Sequence, residues 1–294
     1  MNLTFRNSYN PRMVMILEGG CRVTDMHEGL PATRGTLRIW TQIGRQTGAQ
    51  AISLRVLEFA PGLSPGLRNE SCDEILYVLD PEASQDRDRE RLAHSLVNDE
   101  ANQNKGSKDA TIYLDGLPYS VGQSTGIYLR PGQTLTVDNQ NSDPLFILSS
   151  RCPEPDDAAA TTIPSMTAAA DPSLPPGPPP IVQLADRPAQ PTADRWYRVL
   201  VDDQVGSTQV TQFVGSIPPG RAPDHFHQYE EVLFILRGNG RMWAGQTHTP
   251  IKSGSCVYLP KGQVHCVENT GDGELRLLGV FYPAGSPSVR YDVD

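Results

Sequence analysis

The chain has 294 residues, 20% of them charged and 38% hydrophobic, and a net charge of −9. That is enough for two cores of ordinary size in a soluble globular protein, and it offers no basic patch of the kind nucleic acid demands. Residues Met1 to Asn10 form no basic-then-apolar leader and no run of about 18 apolar residues occurs, so neither a signal peptide nor a membrane helix is expected.

In chain order, Cys21 is the first of five cysteines, followed by Cys72, Cys152, Cys256 and Cys266. None forms a CxxC pair, and they read as reduced thiols of a cytoplasmic protein. Ile52 to Phe59 alternates as a half-buried strand does. Asp80 to Asp109 is charged and reads as a surface loop, with one short helix near Asp86 to Val97. Pro153 to Pro180 is rich in Pro and Ala and reads as an extended linker of polyproline character. Thr208 to Val214 is β-branched and aromatic enough for a further strand. Turn signals recur at Pro61-Gly62, Pro131-Gly132, Pro218-Pro-Gly220 and Gly238-Asn-Gly240, and no segment keeps a long helical period. An all-β sandwich or barrel is the expected class.

The two halves repeat each other. Asp73-Glu-Ile-Leu-Tyr-Val-Leu79 matches Glu230-Glu-Val-Leu-Phe-Ile-Leu236 at an offset of 157 residues. Tyr128-Leu-Arg-Pro-Gly-Gln-Thr-Leu-Thr-Val-Asp-Asn139 matches Tyr258-Leu-Pro-Lys-Gly-Gln-Val-His-Cys-Val-Glu-Asn269 at an offset of 130. The difference of 27 residues falls in the charged loop. A tandem duplication gives three segments: 1–152, a linker at 153–180, and 181–294.

Chemistry concentrates in His225-Phe-His227-Gln-Tyr-Glu-Glu231. On a strand, His225, His227 and Glu231 share parity and face one interior. Two imidazoles and a carboxylate converging there suit a transition metal. Glu230 is the alternative carboxylate. Parity favours Glu231, as does its repeat equivalent Glu74.

Gly238 follows Glu231 after six residues. Gly254, five residues, Pro260-Lys-Gly262, two residues, His265, three residues and Asn269 complete the pattern. This spacing resembles the two signature motifs of the cupin superfamily. It departs only in the four residues, rather than five, between Gly220 and His225.

The resemblance implies two tandem cupin barrels (double-stranded β-helices, or jelly rolls). It also implies one divalent transition metal per chain, held in the second barrel by His225, His227, Glu231 and His265. Iron(II) is the first choice, with manganese, nickel, zinc or cobalt also compatible. By the offsets, Arg68, Glu70, Glu74 and Leu135 take those places in the first barrel. That barrel is therefore expected to hold no metal and to support folding or dimerisation, or to form an anion pocket on Arg68.

Arg241 and Arg276 lie on expected strands of the second barrel, where an inward arginine would hold a substrate carboxylate. Tyr229, Tyr258, Trp243 and Phe226 line the pocket or fill the core. Cys266 points away from the metal by alternation. His27, His94 and His248 have no spacing partners and read as surface residues. The function implied is a metal-dependent enzyme acting on a small polar molecule bearing a carboxylate or hydroxyl, foremost an iron-dependent dioxygenase in a homodimer. The alternatives are non-redox isomerase, lyase or hydrolase chemistry, or a metal cupin that binds a small molecule without turnover.

Overall fold

The structure is a computed structural model that describes residues 14–80, 109–155, 160–166, 177–192, 194–288 and 291–292. The expected helix at 86–97, and His94, lie outside the described residues. Among those described, helix is limited to short 3₁₀ turns such as Arg45–Thr47 and Asp203–Val205. No helix among them is long and apolar enough to cross a membrane.

The strands form four antiparallel sheets, two per barrel. In the first barrel a seven-stranded sheet places Asp73–Val78 between Thr125–Leu129 and Leu145–Cys152, with Leu54–Phe59 next. Its partner sheet centres on Thr134–Asn139. In the second barrel an eight-stranded sheet places Glu230–Arg237 between Ser255–Leu259 and Leu275–Tyr282, followed by Thr211–Ile217 and Arg195–Val201. Its partner sheet centres on His265–Asn269.

Each barrel also borrows an edge strand. Arg22–Asp25 pairs with Ser255–Leu259 of the second barrel. Ile181–Gln183 pairs with Thr125–Leu129 of the first. Ala160–Thr162, inside the Pro/Ala-rich segment, pairs with Gly66–Arg68, so part of that segment is strand. Covered edges leave fewer unpaired backbone groups exposed to other chains.

Three apolar cores follow. One fills the first barrel, with Leu57, Phe59, Leu67, Leu76 and Leu135. A second fills the other barrel, with Leu233, Ile235, Val267 and Phe281. The third lies between them, joining Ile75 and Tyr77 to Val232 and Phe234. The strand Glu230–Arg237 is thus buried on both faces: Glu231, Leu233 and Ile235 face its own barrel, while Glu230, Val232 and Phe234 face the other. Double burial also corrects the expected half-buried strand at 52–59. Leu54–Phe59 is buried throughout, because Leu54 and Val56 enter the central core.

The repeated motif positions staple both barrels alike. The Asn139 amide donates to the carbonyls of Phe59 (3.0 Å) and Asp143 (2.9 Å). The Asn269 amide donates to those of Ile217 (2.8 Å) and Gly273 (2.7 Å). Each asparagine fixes a turn and ties it to a neighbouring strand.

Candidate metal centre

His225 and His265 are direct cross-strand partners. The ligand nitrogens of His225, His227 and His265 lie within 4.8 Å of one another. The Glu231 Oε2 stands 3.7 Å from His227 Nε2 and 3.6 Å from His265 Nε2. The structure therefore brings all four expected residues together at the wall of one cavity.

Backbone carbonyls orient two of the rings. His225 Nδ1 lies 3.1 Å from the Pro223 oxygen and His265 Nδ1 lies 2.8 Å from that of Gln263. With Nδ1–H donating to a carbonyl, Nε2 is left as a lone-pair donor. The His227 ring stacks on Tyr229 at 4.8 Å and 9°.

Burial sets the electrostatics. It pushes the Glu231 carboxyl up to about 8. It pushes His265 down to about 3, a shift reinforced by the neighbouring His225. A divalent cation reverses this local logic, because it supplies the positive charge the buried carboxylate lacks and favours neutral imidazole. Three nitrogens and one carboxylate fit such an ion.

The cavity measures about 110 Å³, well below the ~300–1,000 Å³ of sites for drug-sized ligands. Phe213, Ile217, Leu233, Val267, Leu277 and Phe281 give it mostly apolar walls.

The other expected site residues scatter. Glu230, the alternative carboxylate, faces the central core and accepts hydrogen bonds from the amides of Gln50 (2.8 Å) and Ala51 (2.7 Å) and from the Tyr258 hydroxyl. Tyr258 is thereby placed between the barrels, away from the cavity. Arg241 is on the outer face, paired with Glu268 at 3.3 Å. Arg276 pairs with Glu274 at 2.8 Å and lies over Trp196 on the face opposite the cavity core. Tyr229 supports His227 from behind. Trp243 donates to Glu268 on the outer face, and the Cys266 thiol receives Arg221 Nε there at 3.2 Å. His248 is exposed, whereas His27 is half-buried against Trp40 and Phe146. The inward arginine is Arg195. The alternation Arg195-x-Tyr197-x-Val199 was its available signal.

The first barrel corrects the offset. Leu67 pairs with Leu135 as His225 pairs with His265. The Gly132 amide donates to Asn69 O (2.7 Å) as that of Gly262 does to His227 O (2.8 Å). Leu67 and Asn69, rather than Arg68 and Glu70, therefore occupy the histidine positions. One additional residue between Asn69 and Glu74 causes the shift. Arg68 and Glu70 pair with each other outside the barrel at 2.5 Å, so an inward anion pocket on Arg68 is not formed. Glu74 keeps its place, buried, with Arg55 at 2.6 Å and the Ser149 hydroxyl at 2.7 Å.

Comparison with known proteins agrees with this geometry. The family described as "Cupin domain" matches residues 213–281. A putative glyoxylate-induced protein of Pseudomonas aeruginosa superposes with a TM-score of 0.65 at 14% identity, over 93% of each chain. Two barrels in one chain are matched throughout.

This chain is a bicupin.

An oxalate decarboxylase of Bacillus subtilis superposes on the bicupin with a TM-score of 0.64 at 13% identity, over 90% of this chain and 78% of that one. At such identities these two structures carry the fold alone. The oxalate-binding protein of Thermotoga maritima is 36% identical over 67 residues, covering 22% of the bicupin and 55% of that protein. Across the first curated relatives it matches, the chain spans 43% to 70% of their length.

Proposed function

We propose that the bicupin is a metal-dependent enzyme acting on a small carboxylate-bearing molecule, with one divalent ion held by His225, His227, Glu231 and His265. Iron(II) and oxidative cleavage are the first metal and reaction class. The observation that carries this reading is the convergence of three imidazoles and a buried carboxylate on one small cavity. When bound, such an ion supplies Lewis acidity and, if redox-active, the means to engage dioxygen.

The chain's own residues do the rest. Tethered imidazoles fix the donor geometry. Apolar walls exclude bulk water, which strengthens electrostatic contacts with a bound anion. The first barrel serves as support, and the five unpaired buried cysteines fit a reducing compartment such as the cytoplasm. A homodimer is the proposed assembly.

A second reading, non-redox chemistry or binding without turnover, is favoured by the relatives named for oxalate, one a decarboxylase and one a binding protein.

Elemental analysis of protein purified without added metal or chelator, beside a His225→Ala/His265→Ala variant, tests the site. About one ion per chain, lost in the variant, is expected. A wild-type protein that takes up no metal on reconstitution overturns the assignment. An oxygen electrode and a panel of small carboxylates then separate the readings: turnover that persists in strictly anaerobic buffer selects non-redox chemistry.

A further inference from the structure

Arg195 lines the same cavity as the three histidines and Glu231 and, among the described residues, is the only lysine or arginine that does so. It opens the strand Arg195–Val201, in which Tyr197 belongs to the second barrel's core and Val199 packs against it. Period-two alternation therefore turns Arg195 toward the same interior. Its side chain is 19% exposed.

Its Nε donates to Asp194 Oδ1 at 3.0 Å, the sole side-chain hydrogen bond of Arg195 among the described residues. Asp194 thus occupies one edge of the guanidinium and leaves both Nη groups for a ligand. Thr192, its cross-strand partner, adds a polar side chain to an otherwise largely apolar lining. A guanidinium facing apolar walls favours an anion there, and its planar fork matches a carboxylate bidentately.

We propose that Arg195 selects the substrate of this cavity, and that the substrate is a short dicarboxylate, one end directed to the metal and the other to the Nη groups of Arg195. This rests on the metal reading above. The cavity of about 110 Å³ limits the spacer between the carboxylates to a few carbons. A monocarboxylate has no second group for Arg195, so Arg195 separates the two classes.

The test uses the full chain loaded with cobalt(II), whose visible spectrum reports ligation. Oxalate, malonate and succinate, with acetate as the one-carboxylate control, are titrated into wild type, Arg195→Gln and Arg195→Lys. Arg195→Gln should weaken binding of the best diacid by about tenfold to a hundredfold, the usual worth of hydrogen bonds to charged groups. Acetate binding and cobalt content should stay unchanged. Arg195→Lys should fall between, keeping the charge without the fork. A cobalt-loaded Arg195→Gln protein that binds the diacids as wild type does overturns this inference alone. A wild-type protein that takes up no cobalt overturns the metal reading and this inference together.

Discussion

In the first barrel the buried carboxylate of Glu74 faces the guanidinium of Arg55 at 2.6 Å. In the second, Glu231 occupies the equivalent place and faces two imidazoles. The surroundings differ in step. Strand register sets Arg55 against Ser149 in one barrel and Phe213 against Gly279 in the other, and Arg151 corresponds to Phe281. A Cβ on Gly279 would lie 2.1 Å from a ring carbon of Phe213, so the glycine makes room for the aromatic ring. A buried carboxylate needs a cation. One copy carries it as an arginine side chain. The other has apolar residues at those places and three histidines around the acid, an arrangement suited to recruiting the cation from solution.

Removing the built-in cation should have the largest effect. Arg55→Met strands Glu74 in a dry interior, and breaking such a pair costs about 3–5 kcal/mol. Urea denaturation should show that loss, and the double variant Arg55→Met/Glu74→Gln should recover most of it. Glu231→Gln should behave differently in chelator-treated protein. There the carboxyl is already held neutral near pH 7 by burial, so the amide changes stability by no more than about 1 kcal/mol, while metal uptake is lost. An Arg55→Met variant as stable as wild type would end the comparison.

Proton release sharpens it. The folded value of Glu231 lies above its ordinary value, so its contribution favours the metal-free fold at low pH and is lost as pH rises through about 8. His265 is depressed to about 3 and is already neutral near pH 6.5. Metal binding at about pH 6.5 should therefore expel a proton from Glu231 and none from His265, and the Glu231 share should vanish above about pH 9. Calorimetry in buffers of different ionisation enthalpy counts it. A count near zero at about pH 6.5 would mean that Glu231 is ionised without metal.

The clustering of His225, His227, Glu231 and His265 was legible because side-chain parity survives the bend at residues 228–229, between His225–Phe226 and Glu230–Arg237. Asn139 and Asn269 were legible as a repeat because both staple a turn, a role indifferent to chemistry. Arg195 shares parity with Tyr197 and Val199, but that alternation points into the cavity only once the barrel closes around it. Arg241 and Arg276 failed because parity alone does not reveal which face of a strand is the cavity. The central core was equally hidden. An apolar run such as that at 232–236 announces burial on both faces but not what covers the second.

The smallest expected effect separates the two alignments of the first barrel. A constant offset of 157 puts Arg68 and Glu70 at the places of His225 and His227. The backbone register puts Leu67 and Asn69 there and leaves Arg68 paired with Glu70 in solvent. Exposed pairs of this kind are screened and hold two long side chains still for little gain. Arg68→Ala should therefore leave the urea midpoint unchanged, and the metal content of the second barrel with it. Asn69→Ala should lower the midpoint, because the Asn69 side chain accepts from the Cys72 amide and donates to the Cys72 carbonyl, each at 3.0 Å. Those bonds shape the turn that carries the chain, one residue longer than in the second barrel, from Asn69 to Glu74. If Arg68→Ala were the more damaging of the two, the inserted residue would have to lie elsewhere, and the correspondence of Leu67 and Asn69 with the two histidines would fall.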